Sequence, residues 1–262
     1  MKIETLAART GEWLRFLIAG VVLISVYESL GGIIHALGAP LQDAAVIAAD
    51  RMLTGGRVPP LAIWPWPAPV VDAFAAAYVA FFVLPIALVV LLLRQGNPGG
   101  ARSAVLTMLI AFYLHYFVYL VMPVVGPLRS VDVPAAARTA LAAEGGAFTH
   151  MIRAGIAAAE KTPQDGFPSA HTSVAWLVAM LARKYRLRSR RLFVLMAIAV
   201  TASTLVLGYH YLVDVIAAWP MASMAWGMGG RCPVMSARSG KSGLQHGREP
   251  LSRKRELFFY DR

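Results

Sequence analysis

The feature that most constrains this chain is a recurring pattern of long apolar stretches broken by short charged runs. The stretches run from about residue 13 to 37, 70 to 93, 103 to 125, 168 to 182, 192 to 208 and 211 to 228. About 17–25 apolar residues suffice to carry a helix across ~30 Å of hydrocarbon. A soluble protein of 262 residues could not hide this much apolar side chain: 58% of residues are hydrophobic and 15% charged, where an average globular chain carries about 25% charged residues. These numbers exclude an ordinary cytosolic enzyme and a disordered chain. A single cysteine, Cys232, excludes a disulfide-stapled module, and with no CxxC or Cys/His cluster there is no sign of structural zinc. The sequence therefore predicts an all-α fold, a six-helix transmembrane bundle over residues 1–230, with a basic, solvated, flexible tail over 231–262.

Charge distribution sets the expected orientation. The net charge is +11, and the cations gather between apolar segments and in the tail, which argues against nucleic acid as a partner and for loops retained on the cytoplasmic side. Arg94 and Arg102 flank the turn after the second stretch. Arg183, Lys184, Arg186, Arg188, Arg190 and Arg191 follow the fourth. The tail adds eight basic residues against three acids. Six crossings put all of these on one side, together with both termini. The loop 126–167 falls on the other side, with Arg129, Arg138, Arg153 and Lys161 balanced by Asp132, Glu144, Glu160 and Asp165. This predicts an integral membrane protein of the inner or plasma membrane with an extracytoplasmic active site. The first stretch is too long for a signal-peptide core of about 7–15 residues and reads as a retained span. Glu28 within it is either a functional intramembrane acid or one near the outer interface. Trp64 and Trp66, in a Trp-Pro-Trp-Pro cluster, suit the headgroup layer, and the alanine-rich part of the loop near 134–160 reads as short interfacial helices or plain packing.

Two segments at the expected outer boundary carry chemistry: Gly166-Phe167-Pro168-Ser169-Ala170-His171-Thr172-Ser173 and Gly208-Tyr209-His210-Tyr211-Leu212-Val213-Asp214. His210 and Asp214 are four apart and would share a helix face. An aspartate holding one imidazole nitrogen fixes the tautomer and frees the other nitrogen to attack. Pro168 and Ser169 at a helix start leave backbone N–H groups for an anion. Together the set reads as nucleophilic histidine, orienting aspartate, a second histidine as proton donor, and a phosphate cradle. Two histidines and an aspartate could instead hold a divalent ion, but the Pro-Ser pair supplies an oxyanion site that a metal would not need, so no metal or other cofactor is expected. His115, His35, His150 and His246 read as structural.

These segments resemble the second and third signature motifs of the type 2 phosphatidic acid phosphatase superfamily, P-S-G/A-H and S-R-x-x-x-x-x-H-x-x-x-D. The resemblance spans about the third to the sixth stretch. It implies six membrane helices and a phosphohistidine mechanism, with His210 as nucleophile, Asp214 as its partner and His171 as general acid, and with Ser169, Ala170 and nearby backbone binding phosphate. Two departures stand out. Thr204 occupies the place of the third motif's arginine, and the first motif, K-x-x-x-x-x-x-R-P, is missing; residues 119–129 read YLVMPVVGPLR instead. With its G-Y-H-Y-x-x-D block, the chain is most similar to the inositol phosphorylceramide synthase-like branch. Arg129 becomes the candidate phosphate clamp, because a guanidinium matches phosphate oxygens bidentately. Tyr209 and Tyr119 are candidate substrate contacts. The expected function is hydrolysis of a lipid phosphomonoester or pyrophosphate, with the membrane and a lipid phosphate as partners. The alternatives are transfer of a phospho-headgroup to a sugar alcohol or lipid alcohol, and a non-catalytic scaffold or transporter.

Overall fold

The computed structural model describes residues 2–56 and 65–229. Trp64, Cys232, His246 and the basic tail lie outside the described residues. Among these residues every regular element is a helix: α1 (Lys2–Leu37), α2 (Asp43–Thr54), α3 (Ala68–Ala80), α4 (Leu84–Arg94), α5 (Pro98–Val121), α6 (Ala135–Ala143), α7 (Ala147–Ala159), α8 (Ala170–Lys184), α9 (Arg190–Val206) and α10 (Leu212–Gly229). Two stretches, Trp13–Leu37 and Pro98–Val121, are long and apolar enough to cross a membrane as single helices. A third is the pair α3–α4, bent by 53°.

The bend has a local cause. Pro85 is the second residue of α4, so it has no N–H to give Phe81 and its ring crowds that carbonyl. The second apolar stretch thus folds as two helices where the sequence suggested one, and the break at 81–83 turns Phe81 and Phe82 towards the site described below.

The core is assembled around α8. Along it Val174, Ala175, Leu177, Val178, Ala179, Leu181 and Ala182 are all buried, packed against α4, α5, α9 and α10. Alanines recur where helices meet, including Ala101, Ala104, Ala111, Ala197, Ala222 and Ala225. Small side chains let apolar helices approach closely where no hydrophobic drive separates them from lipid. The outer faces stay apolar: Leu17, Ile24, Ile86, Phe117, Leu195 and Met224 are exposed, as lipid-facing residues would be.

Two helices of the long loop, α6 and α7, agree with the expectation of short helices there. Helix α7 packs on α3, and Asp72 of α3 accepts hydrogen bonds from Gly146 N, Thr149 N and Thr149 Oγ1, at 2.9, 2.9 and 2.5 Å. These bonds serve α7's otherwise unpaired first turn. The segment after α7 docks on α1. Lys161 pairs with Glu28 at 2.8 Å, and Gly31 N donates to Thr162 Oγ1 at 3.0 Å. Any Cβ at Gly31 would meet the Lys161 carbonyl, so glycine is what lets the loop lie flat on the helix. Glu28 therefore faces a loop cation.

Helix α2 is the element that sequence patterning did not anticipate. Its buried positions are Asp43, Val46, Ile47 and Asp50, spaced as one helical face, but two of the four are acids. Both acids accept hydrogen bonds from the site loops. Asp43 accepts from Val125 N, Gly126 N and Tyr211 Oη at 3.0, 3.1 and 3.1 Å. Asp50 accepts from Val213 N at 2.8 Å.

Candidate active site

Three segments converge at one end of the bundle: 122–130 after α5, 160–169 before α8, and 206–212 between α9 and α10. Backbone hydrogen bonds join them. Gly166 N donates to Val124 O at 2.7 Å, Leu128 N to Gly208 O at 2.9 Å, and Ser169 N to Asp214 O at 3.1 Å. Gly126 sits where a left-handed φ of +79° is needed and where a Cβ would strike the Tyr209 carbonyl. Only glycine lets the Arg129 loop pass this close to the residue before His210.

The segments enclose a cavity of about 310 Å³, counting space open to solvent, lined by Tyr78, Val125, Arg129, Glu160, Pro163, Asp165, His171, Tyr209 and His210. The rings of His171 and His210 lie 5.8 Å apart between centroids. They come from different elements, the first turn of α8 and the turn ahead of α10.

His210 lies two residues ahead of α10, so it and Asp214 do not share a helical face as the four-residue spacing suggested. Their contact runs across the helix N-terminus. Asp214 is the third residue of α10, and its Oδ2 accepts from Tyr211 N at 2.6 Å, the capping-box geometry in which an acid in the first turn reaches back to the cap N–H. Having begun the helix, the same oxygen lies 3.5 Å from His210 Nδ1. The shorter partner of Nδ1 is the Gly166 carbonyl, at 2.7 Å. An N–H on Nδ1 facing a carbonyl leaves the lone pair on Nε2. The tautomer expected from an aspartate is thus set jointly by a backbone carbonyl and the aspartate. Burial by itself disfavours a charged His210, but its hydrogen bond to Asp214, the charge of Asp214 and that of Asp165 outweigh it, so its pKa lies above the ordinary histidine value.

His171 is held by aromatic faces. Its ring stacks on Tyr78 at 4.5 Å and packs against Phe81 at 4.4 Å, and Tyr78 in turn stacks on Tyr209 at 4.8 Å. His171 Nε2 is buried without a hydrogen-bond partner. The bend between α3 and α4 builds half of this pocket, so Tyr78 and Phe81, which carry no motif, were invisible to sequence reading.

The expected phosphate ligands divide. Arg129 lines the cavity, where it is ion-paired with Glu160. Burial first, then the neighbouring charge of Asp165, pushes the Glu160 carboxyl up to about 6 against the pull of Arg129. Ser169 is fully buried and serves as the N-cap of α8, its Oγ accepting from Thr172 N at 3.2 Å. Pro168 consequently stands before the cap and not at the first helical position expected of it, because the serine hydroxyl is the better partner for a first-turn N–H. Ser169 and Ala170 lie behind the cavity wall and are not among its lining residues. Tyr119 is also buried, donating to the Pro168 carbonyl at 3.3 Å, and so supports the motif from behind. Tyr209 is on the wall. Thr204 turns away: its Oγ1 donates to Thr201 O at 2.8 Å, while its carbonyl receives the N–H groups of Tyr209 and His210, both at 3.1 Å. His115 bonds within its own helix, Nδ1 to Ala111 O at 2.7 Å.

Sequence reading counted Asp165 and Glu160 only as loop charge. The structure puts both carboxylates on the cavity wall. Asp165 Oδ2 accepts from Tyr27 Oη of α1 at 2.9 Å, and its backbone bridges to Val124.

Residues 44–228, well over half of the chain, match the profile of the PAP2 superfamily. The chain belongs to the PAP2 superfamily. The match covers every segment that builds the cavity, from α2 through α10, and agrees with the motif resemblance at the superfamily level. Membership points to phosphatase or phosphotransferase chemistry in general. Comparison with curated proteins and with solved structures gave no significant match.

Proposed function

We propose that this member of the PAP2 superfamily is an integral membrane enzyme that cleaves a phosphomonoester or pyrophosphate of a lipid through a phosphohistidine on His210. The observation that carries the reading is the convergence of His171 and His210 from separate elements on one cavity, with Asp214 against the second ring. His210 Nε2 attacks phosphorus. His171 protonates the departing oxygen, and water then takes the phosphoryl group. Arg129 supplies the positive field for the equatorial oxygens, and no metal ion is required.

Six crossings follow if α3–α4 counts as one and α1, α5, α8, α9 and α10 as the others. In support, Arg94, Arg183, Lys184, Arg190 and Arg191 all mark the ends of helices opposite the cavity. Those ends are cytoplasmic by the positive-inside rule, and the cavity opens on the outer side.

A second reading, transfer of a phospho-headgroup to a sugar alcohol or lipid alcohol as in the inositol phosphorylceramide synthase-like branch, gains support from Asp165 and Glu160. Two carboxylates on the wall are poor company for an anion but suit a hydroxyl-bearing acceptor. A panel of lipid phosphates and candidate alcohols, incubated with purified protein and chelator, tests both readings. Hydrolysis yields free phosphate. Transfer suppresses it and yields a new lipid. His210→Ala should abolish either product, and full activity in that variant would reject the nucleophile.

A further inference from the structure

We propose that Asp165 is a catalytic residue, the base that deprotonates the acceptor when the phosphoryl group leaves His210. The proposal rests on the phosphohistidine reading above and adds to it a group that no motif supplies.

The starting point is electrostatic. A cavity that binds phosphate is weakened by every carboxylate on its wall, since like charges repel strongly where water is scarce. This cavity has two. Glu160 is accounted for by its pairing with Arg129. Asp165 pairs with no lysine or arginine among the described residues, yet it is firmly held. Tyr27 Oη fixes Oδ2 at 2.9 Å. On either side, Val124 N donates to Gln164 O at 3.4 Å and Gly166 N donates to Val124 O at 2.7 Å, locking the backbone. The next residue, Gly166, orients the nucleophile through its carbonyl. Asp165 is thereby tied to the same strut as His210 and shares its cavity. Burial raises its pKa against the pull of His210, which strengthens it as a proton acceptor.

The acceptor, water or an alcohol, forms a new O–P bond. The N–P bond breaks and its electron pair returns to His210 Nε2. The acceptor's O–H proton passes to the Asp165 carboxylate, which releases it to the solvent-open cavity, and His171 regains from solvent the proton it gave up in the first half. The assignment divides the labour: His171 serves the leaving group, and Asp165 serves the incoming one.

The test is rapid-quench turnover of dioctanoyl phosphatidic acid, dioctanoyl phosphatidylinositol or a short polyprenyl diphosphate, whichever the wild-type full chain cleaves in detergent, comparing Asp165→Asn, Tyr27→Phe and His210→Ala. In Asp165→Asn, a burst of lipid product equal to the enzyme present should survive at near wild-type rate. Steady turnover should fall about 100-fold, within the usual range for a lost general base, and phosphoenzyme should accumulate. Fluoride, an acceptor with no proton to lose, should restore turnover in this variant, and Tyr27→Phe should show the same split with a smaller loss. A burst slowed as much as turnover, or turnover left unchanged, would overturn the assignment while a dead His210→Ala leaves the phosphohistidine reading standing. Cleavage of none of these lipids by the wild type, or an active His210→Ala, would defeat the underlying reading and this one with it.

Discussion

At the scale of single residues, His210 has to satisfy two opposed demands. As the proposed nucleophile it must be neutral to attack phosphorus, and its surroundings favour the charged ring. With a pKa raised above the ordinary ~6.5, the imidazolium persists to higher pH than for a free histidine, so the His210 ring should titrate above that value when followed by NMR of histidine-labelled protein in detergent. Removing the anion beside it should move the midpoint the other way. Asp214→Asn is expected to shift the midpoint to lower pH and to slow turnover. A midpoint that stays put or moves upward in the variant would show that Asp214 does not set the charge of His210.

Asp43 makes a separate residue-level prediction. It holds two backbone N–H groups of the Arg129 loop and the Tyr211 hydroxyl. Asp43→Ala should cost on the order of 3 kcal/mol, the scale for stranding several buried donors, read as thermal unfolding in detergent against wild type. What was legible here was the chemistry written into contiguous motifs: His171, His210 and Asp214 do meet. Asp43, Asp165 and Tyr78 were not legible. Each reaches the site through tertiary contacts from a segment with no motif, and an acid between apolar stretches looks the same in sequence whether it is solvated or feeds a buried loop.

Among the elements, the long apolar runs of α1 and α5 could be read as spans, since length and hydropathy alone define them, although α1 begins at Lys2 and α5 runs from Pro98 to Val121 where 13 and 103–125 were expected. Two features escaped. Helix α2 was missed because half of its buried face is aspartate, which breaks the apolar periodicity that marks an amphipathic helix. The α3–α4 bend was missed because a proline inside an apolar run need not break a membrane helix, as Pro220 within α10 shows, and only the packing of Phe81 and Phe82 around His171 shows that the break is used. The loop helices yield a prediction of their own. Asp72→Ala removes the acceptor for the first turn of α7 and should cost about 1 kcal/mol, as for other lost caps. Hydrogen exchange should quicken at residues 147–150 and stay unchanged in α8. Equal quickening in both would mean that α7 and the core open as one unit.

For the whole molecule, the bundle turns one end into a cavity and the other into a cationic rim. Helix α8 links the two, with His171 in its first turn and Arg183 and Lys184 in its last. Orientation in the membrane can be checked with single cysteines in a Cys232→Ser background. Ala158→Cys on α7 should react with a membrane-impermeant maleimide on intact cells, and Arg188→Cys only after permeabilisation. The reverse pattern would put the cavity in the cytoplasm.

The central claim is covalent capture of phosphorus by one imidazole. Acid-free quench of the enzyme during turnover of a ³²P-labelled lipid phosphate, followed by peptide mapping, addresses it most directly. The label should reside on His210, bound through Nε2, and vanish in His210→Ala. Label on His171 or another residue, or steady turnover with no labelled protein at any quench time, would contradict it.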